Sequence, residues 1–326
     1  MEKMNDYQDR LRSLVTQRRT KGVLKVLFSI FRGLFLFSLC LVLLYPLLIM
    51  LSISLREARE LYDPTVVWIP RNFTLASYIK AFDVLNFGQV ALRTFMISAI
   101  GTVLQLITCM LAGYGLSRFK FPGRNLLFGL LIMTIIVPPQ VVTIPSMVYF
   151  QNFDFFGIGS IVGLFTGTPL TKTLLNTPWA YYLPAALGSG IKSGLFIFIF
   201  IQFFRGLPGD LQDAAYIDGC GRLKTFVRIM LPLSGAAILT VLLFSFVWYW
   251  NDSYFSVIYY DDMQTVSTVL QNVRNALNAT SDNRNELELI PQIQAAAILA
   301  ILPLLIMYVL LQKYFTESIE RTGIVG

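Results

Sequence analysis

The chain has 326 residues, of which 55% are hydrophobic and 14% are charged, and its mean hydropathy is +0.63. About a quarter of the residues of a soluble domain are charged, so this composition indicates a membrane protein. The net charge of +7 does not indicate nucleic-acid binding, because the basic residues are scattered between apolar runs. Histidine is absent, which removes the commonest general base and imidazole metal ligands. The three cysteines lack the spacing of a disulfide framework or a zinc site.

Six apolar stretches are long enough to cross a bilayer, which requires about 20 predominantly apolar residues. They cover residues 23–55, 90–116, 125–150, 183–204, 231–258 and 292–315. The third contains the pair Pro138-Pro139 and also Pro145, which should bend or unwind it because a proline lacks a backbone donor. The sequence therefore predicts an all-α polytopic membrane protein with six transmembrane helices.

The distribution of Lys and Arg predicts that both termini are cytoplasmic, because positive residues are retained on that side. Eight lie in the N-terminal tail up to Arg32, three in 117–125 and four in 205–228, whereas the opposite loops hold nine over longer stretches. No signal-peptide cleavage pattern is present, so the first span is expected to remain attached. The predicted units are a cytoplasmic tail 1–22, the first span with its outer loop 23–89, a core of five spans 90–316 and a cytoplasmic tail 317–326.

The predicted cytoplasmic loop between spans four and five, residues 205–232, reads as two short helices joined by a turn. Asp210 is placed to cap the first helix and Asp213 lies in its first turn, where a carboxylate is favoured. Gly219 and Gly221 provide positions that can take a positive φ and so end this helix. The second helix has apolar residues at helical spacing, namely Phe226, Ile229 and Met230.

This segment resembles the EAA loop of ATP-binding-cassette (ABC) importer permeases, whose pattern is EAA-x3-G-x9-I-x-L-P. The matching residues are Asp213, Ala214, Ala215, Gly219, Ile229, Leu231 and Pro232. Only Asp213 departs from the pattern, because it replaces a glutamate. The resemblance implies the type I (MetI-like) permease fold, a location in the bacterial inner membrane, and an ATPase-coupling role for these residues together with Asp218.

The same resemblance implies partners. A permease of this kind pairs with a second permease subunit, binds two ATPase subunits at the EAA loops, and receives its solute from an extracytoplasmic binding protein. ATP and Mg would be held by the ATPase subunits, because this sequence lacks the phosphate-binding pattern Gly-x4-Gly-Lys-Ser/Thr. The motifs of serine hydrolases and zinc proteases are also absent. The chain is therefore expected to bind no cofactor or metal itself and to be a transport subunit rather than an enzyme.

Residues around the loop resemble the carbohydrate-uptake permeases, of the type of the MalG subunit of maltose transporters. They are Phe203-Phe204-Arg205, Ala215 to Gly219, Trp250-Asn251-Asp252 and Gln312 to Phe315, within a resemblance that covers 90–326. This similarity implies a sugar or oligosaccharide as the cargo. A permease for another solute is one alternative. An ion-driven secondary transporter is another, although the spans contain almost no acidic residue besides Asp252.

Four residues are candidates for the solute pathway, namely Lys192, Trp250, Asn251 and Asp252. Lys192 either lines the pathway or extends its amine to water at the outer end of span four. Trp250 belongs to an aromatic group that either stacks on sugar rings or forms an interfacial belt. Asn251 and Asp252 either contact solute or emerge at the outer surface. The glycine-containing segment 157–176 looks longer than the family's outer loop and fits a re-entrant or interfacial segment, or a contact with a protein partner.

Overall fold

The computed structural model describes residues 2–66, 68–279 and 286–323, and these residues are mostly helical. The α-helices in these ranges are α1 (Glu2–Ser54), α2 (Ala76–Val84), α3 (Phe87–Arg118), α4 (Arg124–Ile136), α5 (Pro139–Gln151), α6 (Ile158–Thr166), α7 (Trp179–Ala186), α8 (Ser193–Gly206), α9 (Asp210–Ile217), α10 (Arg222–Thr225), α11 (Leu231–Leu233), α12 (Gly235–Trp250), α13 (Tyr254–Tyr259), α14 (Val266–Gln271), α15 (Val273–Ala279) and α16 (Glu286–Gly323). A 3-10 turn covers Ala58–Tyr62 and a π-helical turn covers Phe226–Met230. The all-α class is confirmed.

Three helices in the described ranges are long and apolar enough to cross a membrane as single pieces: Lys25–Ser54, Phe87–Arg118 and Glu288–Tyr314. Three further candidates are pairs of helices that pass the same test together but bend by more than 40° at a short break. These pairs are Arg124–Ile136 with Pro139–Gln151, Ser193–Gly206 with Asp210–Ile217, and Arg222–Leu233 with Gly235–Trp250. The predicted number of six is reached when each bent pair is counted as one span, although in two of the pairs one partner belongs to the predicted loop 205–232.

The bend predicted in the third span at Pro138-Pro139 is confirmed. Val137 and Pro138 are extended, and α4 and α5 meet there at 99°. A residue before proline avoids the helical region, whereas Pro139 at the first position of α5 needs no backbone donor. Unwinding at Pro145 is not observed, because this proline lies inside α5 without ending the helix.

The fourth span begins later than the predicted start at residue 183. The sequence there forms the separate helix α7, and α8 begins only at Ser193. Gly188 and Lys192 both have a positive φ, so the chain turns between the two helices. With 14 residues, α8 is only about 21 Å long.

The first span is the least enclosed element of the described chain. Its apolar window has no buried residue, and α1 packs mainly against α16. The helix starts at Glu2, so the tail predicted for 1–22 continues the same helix. Large side chains such as Phe28 and Val42 point outward. A membrane helix with apolar residues all round is expected to present them to lipid or to another subunit.

Helix α3 lies at the centre of the remaining helices and packs against α7, α8 and α12. Its half that ends at Arg118 joins α8 and the loop that follows α8 in one cluster around Phe200 and Phe204. Its other end joins α2, α12, α14 and α16 in a second cluster around Trp250. The helix therefore connects the two sides of the subunit.

Gly113 lies where α3 and α8 approach each other closely. A Cβ at this position would lie 2.5 Å from Phe200 Cβ and 3.2 Å from the Ile197 carbonyl. Gly113→Ala is therefore expected to lower the apparent melting temperature in detergent, because overpacking a core costs about 1–3 kcal/mol. Gly115→Ala is the matched control, since a Cβ there meets no atom within 4 Å. Equal melting temperatures for the two variants would contradict the tight crossing.

Candidate coupling loop and solute pathway

The predicted pair of short helices between spans four and five is confirmed. It consists of α9, a turn and α10, and α10 continues through the π-helical turn into α11. We call residues 205–232 the coupling loop. Pro232 explains the π-helical turn, because its ring would clash with the carbonyl four residues earlier in a regular α-helix.

The turn after α9 has the hydrogen bonds of a Schellman motif. The backbone N–H of Cys220 donates to the Ala215 carbonyl at 2.9 Å, and that of Gly219 donates to the Tyr216 carbonyl at 3.1 Å. Gly219 has a φ of +77°, as the sequence predicts. Gly221 was expected to share this property, but it is extended with a φ of −69°. A single left-handed residue is enough to reverse the chain here.

The start of α9 differs from the sequence prediction in one respect. Asp210 was expected to cap the helix, but Gly209 occupies the cap position and no side chain caps this end. Asp210 and Asp213 both lie in the first turn. At this position the positive end of the helix dipole stabilises both carboxylates.

The coupling loop has an inward and an outward face. Gln212 and Ala215 point inward and are buried. The outward residues of this loop include Asp213, Ala214, Ile217, Asp218, Gly219 and Pro232. Ile217 is 86% exposed, whereas Ile229 and Leu231 are half-buried. The motif residue Ala215 therefore contacts the permease itself rather than leaving space for a partner.

Two of the four pathway candidates have clearly different surroundings. Lys192 is exposed, and its Nζ lies 5.0 Å from the centroid of the Trp248 ring. Trp250 is only 2% exposed and its indole N–H donates to the Ala300 carbonyl at 3.1 Å. In this conformation Trp250 joins α12 to α16 and has no face open to a solute.

The other two candidates follow α12. Asn251 is exposed. The carboxylate of Asp252 accepts hydrogen bonds from the Tyr181 hydroxyl at 2.5 Å and from the Ser256 N–H at 3.1 Å. Asp252 thereby links α7 to the start of α13. The contacts of the four candidates run to different neighbours, so these contacts do not bring them together into one site.

A buried polar cluster in the middle of the helices was missed by the sequence prediction. Gln105 of α3 is fully buried, and its Nε2 donates to the Ile191 carbonyl at 2.6 Å and to Ser193 Oγ at 3.0 Å. Its Oε1 accepts from Ser245 Oγ at 3.2 Å. The cluster joins α3, α8 and α12. The available signal was a glutamine inside an otherwise apolar span, since such residues usually face the protein interior.

The glycine-containing segment predicted at 157–176 is joined near its start by two backbone hydrogen bonds between Phe153 and Lys172, at 3.1 and 2.9 Å. It contains α6, whose Gly159 and Gly163 face the returning chain at Pro169 and Leu170. Large apolar side chains of this helix are exposed, namely Ile158, Ile161, Leu164 and Phe165. Among the described residues there is no group of side chains that could hold a metal ion.

Comparison with known proteins shows the family to which this chain belongs. The chain is 28% identical to protein LplC of Bacillus subtilis (strain 168) over 306 residues, covering 92% of this chain and 95% of that protein. It is 29% identical to the melibiose/raffinose/stachyose import permease protein MelC of the same organism, covering 86% of this chain and 91% of that protein.

A solved structure gives the same fold. It is the crystal structure of a bacterial ABC transporter involved in the import of the acidic polysaccharide alginate, and one of its chains matches with a TM-score of 0.67 at 18% identity. The match covers 89% of this chain and 96% of that one. The profile of one family matches residues 105–321. The chain belongs to this family, the binding-protein-dependent transport system inner membrane component.

Proposed function

We propose that this chain forms, with a second permease subunit, the membrane pathway of an ABC importer for a sugar or oligosaccharide. The observation that carries the proposal is the outward face of the coupling loop, where Asp213, Ala214 and Ile217 are exposed beside the Gly219 turn. A rigid helix of about 12 Å with an exposed apolar residue fits a cleft on a partner. Two ATPase subunits, one on each permease, would bind there and hold ATP and Mg.

The orientation of the chain follows from the same proposal. The coupling loop must face the ATPase subunits, so it lies in the cytoplasm together with both termini, in agreement with the excess of Lys and Arg. An extracytoplasmic binding protein would then deliver the solute to the opposite face. Lys192, Asn251 and Asp252 lie near the ends of α8 and α12 that are distant from the loop, so they are proposed to border the outer mouth of the pathway.

The carbohydrate cargo is supported by the names of several relatives. MelC is an import permease for melibiose, raffinose and stachyose, and AraQ of Halalkalibacterium halodurans, 27% identical, serves arabinooligosaccharides. A phosphorylated polyol is the second candidate, because UgpE of Yersinia pestis, also 27% identical, belongs to an sn-glycerol-3-phosphate transport system. Ligand profiling of the binding protein that docks on this permease distinguishes the two classes of cargo.

Co-purification tests the coupling role. Gly219→Arg is expected to abolish retention of the ATPase subunits on the detergent-solubilised permease, because a non-glycine residue at this φ is disfavoured by about 1–2 kcal/mol and the arginine adds bulk at the docking face. Gly167→Arg is the matched control, since Gly167 also has a positive φ and open surroundings but lies in the outer segment. Retention of the ATPase by both variants would overturn the docking role of the loop.

A further inference from the structure

The coupling loop is held from one side by the short connection between α3 and α4. Three side chains of this region contact it: Arg118 at the end of α3, Phe119 in the connection and Phe128 in α4. We call these three residues the brace. The sequence prediction used the basic residues of this connection only to orient the chain in the membrane.

Arg118 fixes the point where the chain leaves α8. Its Nη2 donates to the Phe204 carbonyl at 2.5 Å and to the Leu207 carbonyl at 2.6 Å. Carbonyls at the end of a helix have no intrahelical donor, and a cation is favoured at this negative end of the helix dipole. One guanidinium therefore holds the last turn of α8 and the first residue after it, immediately before α9.

The two aromatic residues of the brace contact arginines of the coupling loop. Arg222 at the start of α10 lies 5.2 Å from the Phe119 ring centroid, and Arg205 at the end of α8 lies 5.0 Å from that of Phe128. Both separations are within the range of cation–π attraction. Arg205 precedes α9 and Arg222 follows it in the chain, so the brace contacts the coupling loop before and after α9.

Tyr114 extends this connection into α3. Its ring centroid lies 5.3 Å from that of Phe119, 5.4 Å from that of Phe204 and 4.8 Å from that of Phe226. Phe204 precedes α9 and Phe226 follows α10, and both are buried. These ring contacts connect α3 to the chain on both sides of α9 and α10, in addition to the direct connections of the loop to α8 and α12.

We propose that Arg118 is a positioning residue for energy coupling, which makes the coupling loop move as one body with α3 and α4 when the ATPase subunits pull on it. The proposal rests on the docking role of the loop proposed above. An exposed side chain in the same connection, Lys120, makes a suitable control because it carries the same charge.

The test is a distance measured between spin labels by pulsed EPR in the complex with the second permease and catalytically inactive ATPase subunits. The labels are placed at Lys224→Cys in α10, which leaves the docking helix α9 unlabelled, and at Leu126→Cys in α4, both exposed, after replacement of Cys40 and Cys220 by serine. Cys109 is fully buried and remains. Because the solute is unidentified, Mg-ATP alone is added to make the ATPase subunits move the coupling loop.

In the otherwise wild-type complex the distance is expected to stay unchanged when Mg-ATP is added. In Arg118→Met, Mg-ATP is expected to change it by about 2 Å or more, the scale of helix shifts in such transitions. Arg118→Lys should restore the unchanged distance, because lysine still donates to the carbonyls, and Lys120→Met should behave as the wild type. If Arg118→Met does not accumulate, Phe119→Leu takes its place, with a change in distance expected in the same direction.

Two results would overturn the proposal. One is an unchanged distance in Arg118→Met or Phe119→Leu, because a residue with only a folding role would lower the melting temperature without making the distance respond to Mg-ATP. The other is a distance in the wild-type complex that already responds to Mg-ATP. Failure of the docking role itself is seen separately, as retention of the ATPase subunits by Gly219→Arg.

Discussion

Ile217→Asp is expected to weaken binding of the ATPase subunits strongly while leaving the permease folded. Ile217 is 86% exposed at the end of α9, on the same face as Asp213 and Ala214. A large apolar side chain at the centre of a docking face contributes about 2 kcal/mol or more, and a buried aspartate adds a desolvation penalty. Affinity for the ATPase should fall at least about 30-fold, as measured by titration of the purified permease.

The control for this prediction is the same substitution at an equally open site. Ile69 is 74% exposed in the outer loop between α1 and α2, so Ile69→Asp tests whether a surface isoleucine tolerates the change. ATPase affinity should remain at the wild-type value in Ile69→Asp. Because Ile217→Asp leaves the Gly219 turn unchanged, it separates the docking surface from the backbone geometry. Wild-type affinity in Ile217→Asp would exclude the outward face of α9 as the contact.

The coupling loop could be predicted from the sequence because its structure is set locally. A Schellman motif needs a residue that accepts a positive φ, and Gly219 provides it within a few residues of the helix that it ends. The proline-induced bend between α4 and α5 is local in the same sense. The error at Asp210 has a local cause too, since Gly209 can itself occupy a cap position.

The other errors arise from tertiary packing, which hydropathy does not report. The positive φ of Lys192 separates α7 from α8, although the sequence there reads as one apolar stretch. Ala215 is buried because α9 rests on the helices beneath it, and nothing in its side chain distinguishes it from the exposed Ala214. The partner of Asp252 is Tyr181, 71 residues earlier in the chain. Contacts over such separations depend on the packed arrangement of the helices.

Gln105 is the strongest case of a residue whose role depends on packing. Its side chain makes three hydrogen bonds that join α3 to the start of α8 and to Ser245 of α12. Gln105→Leu leaves the Ile191 carbonyl and two serine hydroxyls without this partner, and each unsatisfied buried group costs about 1–3 kcal/mol. The apparent melting temperature of the detergent-solubilised protein should therefore fall strongly.

Gln202→Leu is the matched control, because Gln202 of the neighbouring helix α8 is exposed and the chemical change is identical. Its melting temperature should stay close to that of the wild type. In the double variant Gln105→Leu with Ser193→Ala, the loss should be smaller than the sum of the single losses, since both substitutions remove the same hydrogen bond. Additive losses, or equal effects of Gln105→Leu and Gln202→Leu, would contradict the cluster. Because α8 precedes the coupling loop and α12 follows it, this cluster also holds together the two helices that flank the loop.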